Sequence, residues 1–81
     1  METRLAIIGI IVEDRSSAQA VNRLLSEFGD YIKGRMGIPY DEKDVSVISV
    51  VIDAPMDHIS ALSGKLGALP GVSTKTVYSK K

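Results

Sequence analysis

The stretch that decides the fold is residues 4–12, which read Arg-Leu-Ala-Ile-Ile-Gly-Ile-Ile-Val. This run is rich in β-branched residues, is too short for most helices, and ends at the charged residues 13–15. Its apolar side chains fall on both faces of an extended chain, because successive residues of a strand point to opposite sides. A strand with two apolar faces is predicted to lie in the centre of its sheet.

Residues 45–52 repeat this pattern, with Val45, Val47 and Val51 on one side and isoleucines and a valine on the other. They are therefore predicted to form the second central strand. Two further strands are predicted to be less apolar. In Tyr31 to Ile38, the side chains of Ile32, Met36 and Ile38 are expected to share one face, and Val72 to Tyr78 is mostly polar.

Helical spacing of leucine and other apolar residues predicts a helix at Ser16–Phe28 and another at Met56–Ala68. The hydroxyl of Ser16 or Ser17 is expected to cap the first helix, and Gly29 is expected to end it in a left-handed conformation. Pro70-Gly71 is expected to end the second helix.

The predicted order is β-α-β-β-α-β. Two strand–helix–strand units with right-handed crossovers give an α+β, ferredoxin-like fold: a four-stranded antiparallel sheet in the order 4-1-3-2, with two helices on one face. We expect residues 1–81 to form a single domain, because no linker-like segment divides the chain.

The helices cover only one face of such a sheet, so the apolar outer sides of the two central strands would be left bare. An apolar patch of this size usually marks an interface, and the loops are too short to cover it. A chain of 81 residues also buries only about 60% of its unfolded surface, so a lone monomer would be marginally stable. The sequence therefore predicts a homo-dimer or homo-tetramer.

The composition excludes several classes of function. Ten basic and ten acidic residues cancel, which argues against a DNA-binding protein held by phosphate contacts. The chain has no cysteine and one histidine, so thiolate chemistry and multi-histidine metal sites within one chain are excluded, and no cofactor is expected. No signal peptide and no apolar run of about 20 residues is present, so a soluble, cytoplasmic protein without a membrane role is predicted.

Polar residues in three places are candidates for a ligand or partner site at a subunit interface. They are Arg35 and Tyr40 in and after the second strand, and Glu13, Asp14 and Arg15 after the first. Arginine can grip a carboxylate with two hydrogen bonds, and tyrosine offers an apolar wall with a polar tip. The alternative is that Arg35 and Tyr40 only shape the hairpin and that the acidic loop is simply solvated.

His58 is the weakest candidate, a metal ligand shared across a subunit interface with Asp57 or Asp53 nearby. The alternative is a solvated histidine on a helix surface. No nucleophile–base pair and no phosphate-binding loop is evident, so the protein is predicted not to be an enzyme.

Two passages resemble known families. Residues 62–72, Leu-Ser-Gly-Lys-Leu-Gly-Ala-Leu-Pro-Gly-Val, are similar to the helix-to-strand passage of ACT-like regulatory domains. Residues 29–40 and 47–55 resemble the iron-only hydrogenase system regulator family, and this likeness covers Arg4 to Lys80. The family is ferredoxin-like and similar to the C-terminal domain of the nickel-responsive regulator NikR. The nickel site of NikR uses several histidines and a cysteine, so it cannot be carried over to this chain, which has one histidine and no cysteine. The resemblance implies a regulatory or sensing module that binds a ligand or partner at an oligomer interface.

Three other functions compete with this interpretation. An assembly protein without a ligand fits the same sequence. An enzyme of the acylphosphatase type needs an arginine loop and a catalytic asparagine, but the only asparagine, Asn22, lies within the first predicted helix. An RNA-binding module is rejected, because the two central strands carry no aromatic residue on which bases could stack.

Overall fold

The computed structural model describes residues 2–81, so Met1 of the predicted domain lies outside the described residues. The strands are β1 (Arg4–Val12), β2 (Ile32–Tyr40), β3 (Val45–Ala54) and β4 (Val72–Tyr78), and the helices are α1 (Ala18–Glu27) and α2 (Met56–Gly67). The four strands form one antiparallel sheet in the order β2-β3-β1-β4. This is the predicted order 4-1-3-2 read from the other edge, so the predicted fold is confirmed.

The core lies between one sheet face and the two helices. The inner sides of β1 and β3 carry alternate residues that are buried, and the apolar stripes of α1 and α2 pack on them. The central members are Ile8, Ile10, Val50, Ile52, Leu25, Ile59, Leu62 and Leu66, each with 2% or less of its surface exposed. The doubly apolar pattern of β1 and β3 therefore identified the central pair correctly.

The start of α1 differs from the prediction. A short 3₁₀ turn, Arg15–Ser17, precedes the helix, and the Asp14 carboxylate caps that turn by accepting a hydrogen bond from the Ser16 backbone N–H. Neither serine caps α1 with its side chain, so that prediction was wrong. Ser17 is buried, and its hydroxyl instead donates a 2.7 Å hydrogen bond to the Pro70 carbonyl, which joins the start of α1 to the turn between α2 and β4.

The glycine that adopts a left-handed conformation is Gly71, with φ +69°, and not Gly29. The Glu13 backbone N–H donates to the Gly71 carbonyl at 2.7 Å. A Cβ at Gly71 would lie only 2.5 Å from the Asp14 Cβ, so the chain needs glycine here both for its backbone angle and for the close approach. Gly29 begins a second short 3₁₀ turn, which leads into β2.

Strand β2 also departs from simple alternation. Ile32 pairs with Ile52, but Gly34 pairs with Val51, so the register shifts by one residue at Lys33. This bulge places Ile32 on the inner side and leaves Met36 and Ile38 on the outer side. The prediction that all three side chains share one face was therefore wrong for Ile32.

Candidate functional site

The outer face of the sheet carries exposed apolar side chains that the core does not use. Residues paired across antiparallel strands share a face, so the registers place eight large apolar side chains together on the side away from the helices. They are Leu5, Ile7 and Ile11 of β1, Val47 of β3, Met36, Ile38 and Tyr40 of β2, and Val77 of β4, and their exposed fractions run from 40% to 67%. We call this surface the outer face.

The outer face is organised in rows that cross the strands. One row contains Val51, Ile7 and Val77, and another contains Ile38, Val47 and Ile11. The row between them contains only small residues on the central strands. These two residues, Gly9 and Ser49, form the floor of a concavity of about 390 Å³, with Ile11, Val47, Ser73 and Lys75 among its lining residues.

A cleft of about 350 Å³ lies at one end of the sheet, between the turn before α1 and the β2–β3 hairpin. The guanidinium of Arg15 makes an ion pair with the Asp44 carboxylate across this cleft, and both side chains are mostly exposed. Asp44 holds a left-handed backbone conformation with φ 55°, which ends the turn before β3. Val12, Ala18, Pro39 and Val45 supply apolar walls. We call this the hairpin cleft.

Glu13 and Asp14, the two acidic residues that precede Arg15, have mainly structural contacts. Asp14 accepts hydrogen bonds from the Ser16 backbone N–H at 2.9 Å and from the Ser16 hydroxyl at 2.7 Å, and these bonds lower the pKa of the Asp14 carboxyl below its ordinary value. Glu13 is exposed, and its backbone N–H donates to the Gly71 carbonyl. Of the predicted loop, Arg15 is thus the residue that faces the cleft.

The structure does not bring Arg35 and Tyr40 together. Arg35 pairs with the buried Val50 on the inner side of the sheet, and its Nη2 donates a 3.0 Å hydrogen bond to the Asn22 side chain of α1. Tyr40 belongs to the outer face, and its hydroxyl donates to Glu42 at 3.2 Å. Tyr40 pairs with Val45, a lining residue of the hairpin cleft, so Tyr40 and Arg15 lie at the same end of the sheet.

His58 lies at the start of α2, where its Nδ1 is 3.0 Å from the Asp57 carboxylate and its ring is 5.0 Å from the Tyr31 ring. The hydrogen bond with His58 lowers the pKa of Asp57. Across residues 2–81, no cluster of three or more histidine, aspartate or glutamate side chains could hold a metal ion. No helix in this part of the chain is long and apolar enough to cross a membrane.

Sequence reasoning missed two features of these surfaces. The ion pair between Arg15 and Asp44 could not be predicted from the sequence, because it forms only where the β2–β3 hairpin lies beside the β1–α1 junction. The concavity at Gly9 carried a signal, because an isolated glycine within an apolar strand often marks a close approach or an unfilled position.

A four-stranded antiparallel sheet in this order, with helices on one face and an apolar second face, defines an ACT-like domain of the ferredoxin-like fold. The chain belongs to the TM1266-like family, described as "Iron-only hydrogenase system regulator, putative", whose model matches residues 4–76. No curated protein matches the sequence.

Three solved structures illustrate the likeness. Protein TM1266 from Thermotoga maritima is 45% identical with a TM-score of 0.92, and the match covers 98% of this chain and 100% of that one. The ACT domain of GTP pyrophosphokinase from Chlorobium tepidum is 22% identical with a TM-score of 0.79, covering 93% and 99%. The C-terminal domain of the MgtC protein from Mycobacterium tuberculosis is 12% identical with a TM-score of 0.75, covering 95% and 88%. The last two share the fold alone.

Proposed function

We propose that the chain is a non-enzymatic, cytoplasmic regulatory module of an iron-only hydrogenase system. In this proposal, copies associate through the outer face, and an effector or a protein partner binds beside that interface. The family description and the ACT-like fold support a regulatory role. The proposal treats the chain as one domain whose ligand or partner site is shared between subunits.

The outer face is the observation that carries the proposal. Eight large apolar side chains, each 40–67% exposed, are contiguous on a single surface. Burying such a side chain completely contributes about 1.5–3 kcal/mol, so burying the exposed half contributes roughly 1 kcal/mol. Two copies would gain on the order of 16 kcal/mol, against about 4–15 kcal/mol or more for lost translational and rotational freedom and a further cost for ordering the interface side chains.

The hairpin cleft is the proposed effector site. It combines apolar walls with Arg15, whose ion pair with Asp44 is exposed to water, and a second carboxylate, that of Asp41, also lines it. An acidic group on an effector could replace Asp44 as the partner of Arg15, because exposed ion pairs are weak and exchange readily. Tyr40 links this cleft to the outer face through its pairing with Val45, so a ligand in the cleft would contact the edge of the assembly interface.

The test combines sedimentation equilibrium with calorimetry. The wild-type protein is expected to be an oligomer at micromolar concentration. Calorimetric titrations with a panel of amino acids, carboxylic acids and nucleotides would identify the effector class, and sedimentation would be repeated with any compound that binds. Binding that is lost in Arg15→Ala and kept in Arg23→Ala would support the cleft, because Arg23 is exposed on α1 and does not line it.

Two single variants separate the outer face from the inner side of the same strand. Arg35→Ala is expected to leave the sedimentation behaviour unchanged, because Arg35 contacts α1 through Asn22. Tyr40→Ala is expected to shift the equilibrium toward monomers, because Tyr40 belongs to the outer face. We expect either change to lower the free energy of unfolding of the monomer by about 1 kcal/mol or less, as is usual at exposed positions. Dissociation by Arg35→Ala would contradict the assigned interface.

The purified protein is expected not to bind duplex DNA. The helices carry few basic side chains, Arg23 on α1 and Lys65 on α2, and the net charge is zero. Neutralising phosphates requires a basic surface, so a gel-shift or fluorescence-anisotropy titration at low salt should give no saturable binding at micromolar protein. Tight binding that weakens steeply with added salt would refute this expectation.

A further inference from the structure

The concavity in the middle of the outer face has one charged side chain at its rim. Gly9 and Ser49 form its floor on β1 and β3, and Ser73 and Lys75 of β4 lie along one side of it. Lys75 pairs with Gly9, so its side chain projects from the same face beside the floor. The surface inside the concavity is almost entirely apolar. A cation therefore stands next to an apolar hollow.

Lys75 has no acidic partner. Among residues 2–81, the ion pairs of the structure lie at the hairpin cleft and at the start of α2. The other charged residue in the paired rows of the outer face is Asp53, which pairs with Leu5 two rows away and is separated from β4 by β1. If a second copy covers the outer face, the Lys75 ammonium loses water without gaining a counter-charge, which costs free energy.

The concavity lies at the centre of the outer face. β1 and β3 are the two central strands, and Gly9 pairs with Ser49 near the middle of both. A two-fold axis between two facing sheets lies in the plane midway between them. Every such axis that passes over the centre of the face places the centre of one copy on the centre of the other. The two concavities then meet, whatever the direction of the axis.

Two concavities that meet form one closed cavity. Facing sheets lie about 10 Å apart, and the side chains between them normally fill this space. The floor positions contribute only a glycine and a serine from each copy, and each concavity alone has a volume of about 390 Å³. An apolar cavity of about 150 Å³ already stays dry and takes up a molecule such as benzene. The assembled pair thus has space for an apolar ligand, and each copy places one Lys75 at its rim.

We propose that two copies facing each other through the outer face enclose a site for a monocarboxylate with an apolar body, in which Lys75 binds the carboxylate. The proposal rests on the self-association in the proposed function and adds a second ligand site, which is complete only when both copies are present. Its basis is charge complementarity, because the carboxylate supplies the counter-charge that Lys75 lacks.

The residues around Lys75 define the ligand further. Ser73 is two residues from Lys75 on the same face of β4, so its hydroxyl is a second hydrogen-bond donor on the same rim. The floor extends from β4 across β1 to β3, a distance of about 10 Å, which corresponds to a chain of about eight carbons. An eight-carbon carboxylate therefore has its head at the Ser73–Lys75 rim and its chain over Gly9 and Ser49.

The first experiment uses octanoate as the probe, with octanol and octylamine as ligands of the same chain length and a neutral or cationic head. In sedimentation equilibrium of the wild-type protein, octanoate is expected to lower the dimer dissociation constant by about tenfold or more, because a ligand that binds only the dimer shifts the equilibrium toward it. Octanol is expected to act more weakly, and octylamine to have no effect. Butanoate is also expected to act weakly, because each buried methylene contributes up to about fourfold in affinity.

Charge reversal at the rim tests the head group. Lys75→Glu is expected to lose the response to octanoate and to gain a response to octylamine. The matched control is Lys65→Glu, which changes the net charge equally at an exposed position of α2, on the helix side of the sheet. Arg15→Ala is expected to keep the response to octanoate, because Arg15 lines the hairpin cleft and not the concavity.

Gly9→Val tests whether the concavity is open to a ligand in the dimer. A Cβ at Gly9 would meet one atom within 4 Å, the Lys75 carbonyl oxygen at 3.8 Å, and valine is favoured in strands. The variant is expected to dimerise at least as tightly as the wild type, because its side chains fill the void, and to lose the response to octanoate. Thermal unfolding followed by circular dichroism checks that it folds, and Ser49→Val fills the same floor from β3 if it does not.

Nuclear Overhauser contacts place the ligand directly. Ile11 and Val47 line the concavity, so their methyl groups are expected to show contacts with the octanoate chain in the wild-type protein and none in Gly9→Val. Contacts confined to Ala18 and Val45 of the hairpin cleft would overturn the proposed site.

The outcomes separate this site from the self-association on which it rests. A wild-type dimer that octanoate does not tighten, or that octylamine tightens equally, would leave self-association standing and overturn the carboxylate site. A Gly9→Val variant that is folded but monomeric would show that the second copy itself fills the concavity, with the same consequence. A wild-type monomer at tens of micromolar, with and without octanoate, would overturn self-association, and with it the enclosed site.

Discussion

Ile11→Asp is expected to yield a folded monomer, whereas Ile10→Asp is expected to yield a chain that does not fold. The two residues are neighbours on β1 and receive the same substitution. Ile11 is 44% exposed on the outer face, while Ile10 is 1% exposed in the core between the sheet and the helices. The comparison therefore separates the surface used for assembly from the surface used for folding.

The expected effects differ because the two carboxylates meet different surroundings. At position 10 an aspartate would be buried without a partner, which costs several kcal/mol in addition to the lost apolar contacts. Small domains have total stabilities of about 5–15 kcal/mol, and an 81-residue chain belongs to the lower part of that range. At position 11 the carboxylate reaches water in the monomer and is desolvated only when a second copy covers it.

Circular dichroism and sedimentation equilibrium check this pair of variants. The Ile11→Asp variant should keep the wild-type far-ultraviolet spectrum and sediment as a monomer at concentrations where the wild type is associated. Ile11→Val serves as the control, since it keeps an apolar side chain and should keep the oligomer. An Ile11→Asp variant that sediments like the wild type would place the interface elsewhere.

The central part of the fold could be predicted from the sequence because burial there follows strict alternation. In β1 and β3, every second residue enters the core and the side chains between them form the outer face, as the doubly apolar pattern indicates. The order of strands and helices then leaves few topologies open, because crossover connections are right-handed. The apolar pattern of β1 and β3 and the order of strands and helices were therefore sufficient to predict the sheet topology.

The face assignment of β2 could not be predicted in full, because a bulge changes the phase of alternation. The register shift at Lys33 turns Ile32 inward while Met36 and Ile38 remain on the outer face. Gly34 and Gly37 indicate a bulge or a close backbone approach in this strand, but they do not specify the residue at which a bulge occurs.

The helix ends show why local signals can mislead. Ser16 and Ser17 are good capping residues, but Asp14 precedes them and caps the 3₁₀ turn that comes before α1. Glycine follows both helices in sequence, yet the left-handed conformation is adopted at Gly71, where the chain must turn sharply beside Asp14. The choice between these glycines depends on the close packing of two distant segments.

The candidate site was predictable only in its parts. Arg15 and the end of the hairpin could be expected at one end of the sheet, but their contact depends on the backbone conformation of Asp44. Arg35 and Tyr40 are five residues apart, so regular alternation after the bulge places them on opposite faces. The proposed effector site now rests on Arg15 and the hairpin cleft, whereas Tyr40 belongs to the outer face beside the cleft and Arg35 contacts α1.

Gly71→Ala is expected to lower the free energy of unfolding by roughly 2–4 kcal/mol, while Gly64→Ala is expected to raise it by up to about 1 kcal/mol. At Gly71 an alanine would adopt φ +69°, and its Cβ would lie 2.5 Å from the Asp14 Cβ and 2.8 Å from the Asp14 backbone nitrogen. At Gly64, within α2, a Cβ would meet no atom within 4 Å. The same substitution thus has opposite expected effects at two nearby glycines.

The damage at Gly71 should extend beyond one residue, because three contacts converge there. The Gly71 carbonyl accepts from the Glu13 backbone N–H, the neighbouring Pro70 carbonyl accepts from the buried Ser17 hydroxyl, and Asp14 packs against the turn. Relieving the clash requires the loop that carries Arg15 to move, so the hairpin cleft should change shape together with the loss of stability.

Urea unfolding of the two variants measures the difference in their free energies of unfolding, and hydrogen exchange of the backbone amides of residues 13–17 measures how far the loop opens. A Gly71→Ala variant as stable as the wild type would show that the α2–β4 turn and the loop at Asp14 can separate at little cost. It would contradict the inference that this turn holds the hairpin cleft in shape.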